Sequence, residues 1–161
     1  MRRLATNPVM LTAASVVHWN EKRLPEQRAE LYESVLTWLA RSREKRPGRE
    51  PDQRCLELLG QLALAMQDAP RGRETQCGRR RAAEVLAAEF PGESEEKRVQ
   101  RAESFIVQEE LDSGIIVSRG SDLRFWHLTF QEYLAGRTLG GLRDAALYER
   151  ILAQGKLYRP E

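Results

Sequence analysis

The chain has 161 residues, room for one domain or for two very small ones sharing a core. With 41% hydrophobic and 31% charged residues its balance is that of a soluble globular protein, and a net charge of +2 gives no bulk attraction to nucleic acid or to a membrane surface. No apolar run approaches the roughly 18 residues a membrane span needs, and Met1-Arg2-Arg3-Leu4 runs into Thr6, Asn7 and Pro8 rather than an apolar stretch, so neither a spanning helix nor a secretory signal is expected.

Asn7-Pro8 predicts a clean helix start. Asn7 can cap free amides, and Pro8 suits the first helical position because its missing N–H costs nothing there. Val9, Met10, Leu11, Ala13, Ala14, Val16, Val17 and Trp19 make this helix apolar nearly all round, which predicts burial. After a polar turn, Pro25 is expected to open a second helix with Leu31, Tyr32, Val35, Leu36, Trp38 and Leu39 on an amphipathic face. The stretch from Arg41 to Glu50, with Pro47 and Gly48, reads as an exposed linker and domain boundary.

A third helix is predicted over 52–69, carrying Cys55, Leu56, Leu59, Leu62 and Met66. A loop over 70–78 precedes a short helix over 79–90, which Pro91-Gly92 ends. Ser94 can cap the following helix, whose first turn holds Glu95 and Glu96 against the helix dipole. Past Ser113-Gly114 the period changes. The runs 115–118 and 123–127 flank Arg119-Gly120-Ser121-Asp122 and predict one short β-hairpin. Thr129 and Glu132 have capping-box spacing and are expected to launch a helix to Leu139, with a last helix from about Arg143 to Gln154. The fold class expected is therefore mainly α: a helical hairpin followed by a winged-helix-like domain.

Several chemistries have no support in the residues. Gly72 and Gly78 are separated by five residues, not four, and Arg79-Arg80 follows instead of Lys-Ser/Thr, so no phosphate-cradling loop is present. There is no G-x-S-x-G motif. Cys55 and Cys77, without CxxC spacing, and His18 and His127, without HExxH spacing, make no zinc pattern. The two cysteines read as reduced thiols of a cytoplasmic protein, Cys55 buried on a helix face and Cys77 in a polar loop. Glu109-Glu110 reads as ordinary helix-surface charge, and His18 beside Trp19 as a packing residue. His127 leaves two readings open. It stands at a strand-to-helix junction, where an imidazole can donate to an anion. It can equally be a half-buried ring on Trp126, hydrogen-bonded to backbone.

The segment Phe125-Trp126-His127-Leu128-Thr129-Phe130-Gln131-Glu132-Tyr133-Leu134-Ala135 resembles the winged-helix signature of the NACHT module of STAND-class signalling ATPases. Asn7-Pro8-Val9-Met10-Leu11, with Arg23-Leu24-Pro25 and Leu31-Tyr32, is similar to the start of that module's helical domain. The resemblance implies a helical-domain segment over 1–46, a winged-helix domain over 51–140 and the start of a truncated helical region over 141–161. It implies that Pro8 packs on the adenine and that His127 contacts the β-phosphate of ADP, latching a closed form that exchange to ATP opens toward oligomers. Gly136 departs from the family's second alanine. Only six residues precede Asn7, where the ATPase core would stand, and there is neither Walker A nor Walker B. The chain is thus expected not to be an enzyme but a fragment or split-gene product. It is expected to hold no cofactor on its own, with ADP or ATP and magnesium belonging to the complete module. Its partner would be the missing P-loop ATPase core, in cis or in trans, with self-association through exposed apolar surface and with no membrane.

Two other function classes fit the order of elements. One is a winged-helix DNA-binding regulator, whose recognition helix would be about Glu95 to Asp112. That helix holds three basic and six acidic residues, a net of −3, which makes nucleic acid a poor partner. The other is a stand-alone protein-interaction module presenting the apolar first helix.

Overall fold

The computed structural model describes residues 8–21, 25, 27–41, 47–90 and 94–142. The Asn7 cap and the helix expected from Arg143 to Gln154 lie outside them. Six helices and three short strands follow in the order α1 (Pro8–Glu21), α2 (Arg28–Ala40), α3 (Asp52–Gln67), β1 (Cys77–Gly78), α4 (Arg79–Ala87), α5 (Glu95–Asp112), β2 (Ile116–Arg119), β3 (Asp122–Phe125) and α6 (Leu128–Gly140).

α3 is the centre of the molecule. It buries Cys55, Leu56, Leu58, Leu59, Gly60, Leu62, Ala63, Leu64 and Met66, far more than one stripe, because α2, α4 and α6 all pack on it. α6 lies closest. A Cβ added at Gly60 would stand 2.2 Å from Thr138 Oγ1 and 3.5 Å from the Leu134 carbonyl oxygen, so the absent side chain lets the two helices approach. α6 runs unbroken through Gly136, which faces open space.

α5 starts as expected, with Ser94 Oγ accepting from the Lys97 amide at 3.5 Å. It buries Ala102, Phe105 and Ile106 and packs on α4 and β2. The expected hairpin forms with Ile116 opposite Phe125 and Arg119 opposite Asp122, leaving Gly120-Ser121 as a two-residue wing in which Gly120 takes φ +65°. A strand beyond the expected hairpin completes the sheet. β1 pairs antiparallel with β3, Cys77 opposite Leu123, and the order is β1-β3-β2. Cys77 is accordingly buried in a strand, not placed in a polar loop. The run α3-β1-α4-α5-β2-β3 is the order of a winged helix, and one apolar cluster extends through it from Val17 of α1 to Ala135 of α6.

Three expectations need correction here. α1 is not buried. Of its described side chains only Val17 is, while Leu11 is 49% and Trp19 77% exposed. The reason is geometric: among the described elements α1 packs chiefly against α2, and one neighbouring helix covers one stripe. Pro25 does not open α2, which begins at Arg28 behind an extended Gln27. The linker from Arg41 to Glu50 is not exposed throughout, since the Arg49 side chain retains 7% of its surface.

Candidate functional site

The joint between β3 and α6 is built by three aromatic residues and one histidine. Phe125 is buried at the end of β3, and the Trp126 amide donates to the Ile115 carbonyl at 2.8 Å, holding the chain against β2 one residue past the strand. His127 then turns the chain into α6. Its carbonyl accepts from the Phe130 amide at 3.0 Å, and its ring caps the helix: Nδ1 accepts from the Thr129 amide at 3.3 Å and lies 2.7 Å from Thr129 Oγ1. An amide can only donate, so this contact calls for the tautomer in which the Nδ1 lone pair faces Thr129 and Nε2 carries the ring proton. The ring meets Phe130 edge-on at 6.1 Å, and Trp126 meets the same Phe130 at 6.1 Å while remaining half exposed.

This differs from the expected capping box. Thr129 lies inside the helix and His127 is its N-cap. Glu132, freed from the box, pairs with Arg73 at 2.9 Å across the surface. The histidine packs on Phe130, not on Trp126. α2 reaches the joint from the other side. Tyr32 contacts Phe130 at 6.4 Å and Tyr133 at 5.7 Å, and the Tyr133 hydroxyl donates to the Glu33 carboxylate. Burial, first, and that carboxylate push the Tyr133 phenol above its ordinary range, keeping it a donor. Glu33 also pairs with Arg137 of α6 at 3.4 Å.

Pro8 stands at the first residue of α1, and its side chain lies outside the described residues. α1 packs on α2, whereas His127 belongs to the α6 start, which packs on α3. Two surface depressions formed by described residues lie on α5, away from the joint. One of about 590 Å³ opens between α4 and α5, lined by Arg80, Glu84, Glu95, Glu96 and Val99, and one of similar size lies along Ser104, Val107 and Leu111 of α5. Among the described residues no group of three or more acidic, histidine or cysteine side chains is placed to hold a metal ion.

A second cluster was not foreseen. Glu109, read as a surface charge, is fully buried at the end of α5. Arg49 reaches it from 60 residues away, Nε and Nη2 each 3.1 Å from Oε1. The same guanidinium lies 3.8 Å from Asp112, whose side chain is 4% exposed, and 3.5 Å from Asp52. The Cys55 thiol donates to Glu109 Oε1 at 3.3 Å. Burial, and then the Glu109 charge, push that thiol far up, so it stays an S–H donor. One signal for Glu109 lay in its spacing, since it continues the buried stripe of Ala102, Phe105 and Ile106.

The arginine-rich surface is largely neutralised. Arg79 pairs with Glu110 at 2.7 Å, Arg80 with Glu84 at 3.0 Å and Arg81 with Glu74 at 2.5 Å. Arg101 of α5 stacks on Phe90 at 5.0 Å and pairs with Glu50. No described helix is long and apolar enough to cross a membrane.

Comparison with known proteins agrees with the winged-helix fold. Residues 16–139 match the family model for the winged helix-turn-helix domain C-terminal to NACHT. No curated protein and no solved structure matches. With the winged-helix order of its elements, the helix pair ahead of it and a family match over most of its length, the chain belongs to the winged helix-turn-helix domains that lie C-terminal to NACHT.

Proposed function

We propose that this chain is the regulatory winged-helix part of a NACHT-type signalling ATPase, in which His127 senses the nucleotide held by the ATPase core and so controls opening and oligomerisation. The observation that carries this reading is the division of labour in the imidazole. Nδ1 is committed to the cap of α6, which leaves Nε2–H as a donor at the start of a 13-residue helix whose dipole favours an anion. The residues present fit one edge of a phosphate site and no more. The phosphate-binding loop and the magnesium ligands would come from the core, supplied in cis or in trans, and Pro8 would meet the adenine side. The chain by itself is a cytoplasmic binding and control module without catalysis, and the half-exposed Trp126 and the open flank of α1 are where further protein would be covered or self-association would start. Duplex nucleic acid is not a partner in this reading, because Arg101 of the net acidic α5 is already engaged within the protein.

Calorimetry with ADP tests it. The full chain alone is expected to bind no ADP, and the chain mixed with a NACHT ATPase core is expected to tighten the core's ADP binding. His127→Asn is the informative variant, because an asparagine oxygen can keep the cap while the outer N–H is lost. It should remove about tenfold of that gain, the loss of one hydrogen bond to a charged group. Equal ADP binding by wild type and His127→Asn would remove the histidine from this role. Salt-sensitive duplex binding in a gel shift would favour a DNA-binding regulator instead.

A further inference from the structure

The Arg49–Glu109 cluster lies far along the chain from the β3–α6 joint, yet a continuous set of bonds joins them. The Glu109 carbonyl is the last anchor of α5. It accepts the Ser113 amide at 3.1 Å, the Ser113 hydroxyl at 3.0 Å and the Gly114 amide at 3.1 Å. Ser113 Oγ in turn accepts the Ile115 amide at 3.3 Å, fixing the first residue after the turn. The Ile115 carbonyl then accepts the Trp126 amide at 2.8 Å, and the next residue is His127. Gly114 makes the bend at φ +64°. At the other end of this path stands a guanidinium from the stretch that joins α2 to α3, with two nearly solvent-free carboxylates, Glu109 and Asp112, on it.

We propose that Arg49 is a positioning residue for His127, acting through Glu109 and the Ser113–Ile115 turn. With Arg49 in place, Glu109 stays on the buried face of α5 and its carbonyl is set for three donors. With Arg49 withdrawn, a buried carboxylate loses its counter-charge and must move toward water, taking the end of α5 with it. The Ile115 carbonyl then no longer meets Trp126 in register, and the cap on α6 loosens. The connection between the helix pair and the winged helix thereby sets the aim of the histidine. The coupling itself does not depend on nucleotide; its value as control rests on the latch role proposed above.

The test is hydrogen exchange and ring nitrogen NMR on the full 161-residue chain without nucleotide. In Arg49→Met and in Glu109→Gln, exchange of the Trp126 and Thr129 amides should rise at least tenfold. The His127 ring should move from a single Nε2–H tautomer toward a mixture. Amides inside α3 and α6, such as Leu62 and Leu134, exchange through global opening, so their rise should match the stability lost in urea and grow with added denaturant, whereas Trp126 and Thr129 should exchange through a local opening that low denaturant leaves unchanged. A purely structural role would send Trp126 and Thr129 through the same global opening, and that result overturns the proposal, as would unchanged Trp126 and Thr129 amides. If either single variant does not fold, Arg49→Met combined with Glu109→Met removes both charges and leaves none unpaired. It should still show the local loss at Trp126 and Thr129, and wild-type protection there overturns the coupling. None of these readouts involves ADP, so a failed latch and a failed coupling give different results.

Discussion

α1 and α3 are both rich in apolar residues, and they end in opposite environments. α3 is enclosed by α2, α4 and α6 and keeps nine residues buried. α1 leans on α2 and leaves Leu11 and Trp19 open. The difference lies in the number of neighbours, not in the helix. An apolar circumference states a demand for partners, and whether it is met depends on what else folds beside it. Stability should therefore be concentrated around α3, while α1 is the element whose environment a partner would change most.

The contrast can be broken most forcefully at the charge cluster beside α3. Arg49→Met leaves Glu109 buried without its cation and should cost about 4 kcal/mol in urea unfolding, with the double Arg49→Met/Glu109→Met variant recovering most of it. Leu59→Ala, in the solvent-free part of α3, should cost about 3 kcal/mol by the same measurement. Gly60→Ala tests the contact with α6. Alone it should cost about 1–2 kcal/mol through the Thr138 hydroxyl, and in a Thr138→Ala background it should turn stabilising by up to ~1 kcal/mol, because alanine is the better helix former.

Cys77 gives a smaller, pH-dependent effect. Burial, the main cause, pushes its thiol up to about 11 from 9.0. A folded value above the unfolded one stabilises fully below about pH 9, and this stability is lost as pH rises toward 11. Alkylation at pH 8 should run about a hundredfold slower than for a free thiol. Leu11→Ala should be the smallest, below about 0.5 kcal/mol. A large loss there would mean that α1 is held by more than its contact with α2, and would erase the comparison.

Much of the winged helix was legible from local chemistry. Ser94 announced α5, the Gly120-Ser121 turn announced the hairpin, and the apolar spacing of α3 announced the central helix. β1 was not legible, since a two-residue strand has no period and exists only through its pairing with β3. The cap of α6 was misread because Thr129 and Glu132 have capping-box spacing. The imidazole reaches the Thr129 amide itself, and Arg73, 59 residues away, draws Glu132 aside. The partner of Glu109 was hidden for the same reason, although the spacing of Glu109 marked it as part of the buried stripe: Arg49 is 60 residues distant, and nothing near either residue says that the other is there. His127 was legible as a residue of interest, but not the assignment of Nδ1 to the helix.

The missing side chain at Gly60 has a mechanical consequence. With α3 and α6 seated this closely, bending one requires bending the other, and the pair acts as a single strut across the molecule. His127 is at one end of α6 and Gly140 at the other. A push applied at the histidine would be delivered along the strut to the residues after Gly140 instead of being absorbed by sliding between helices. The Gly140 end of α6 would turn together with the winged helix.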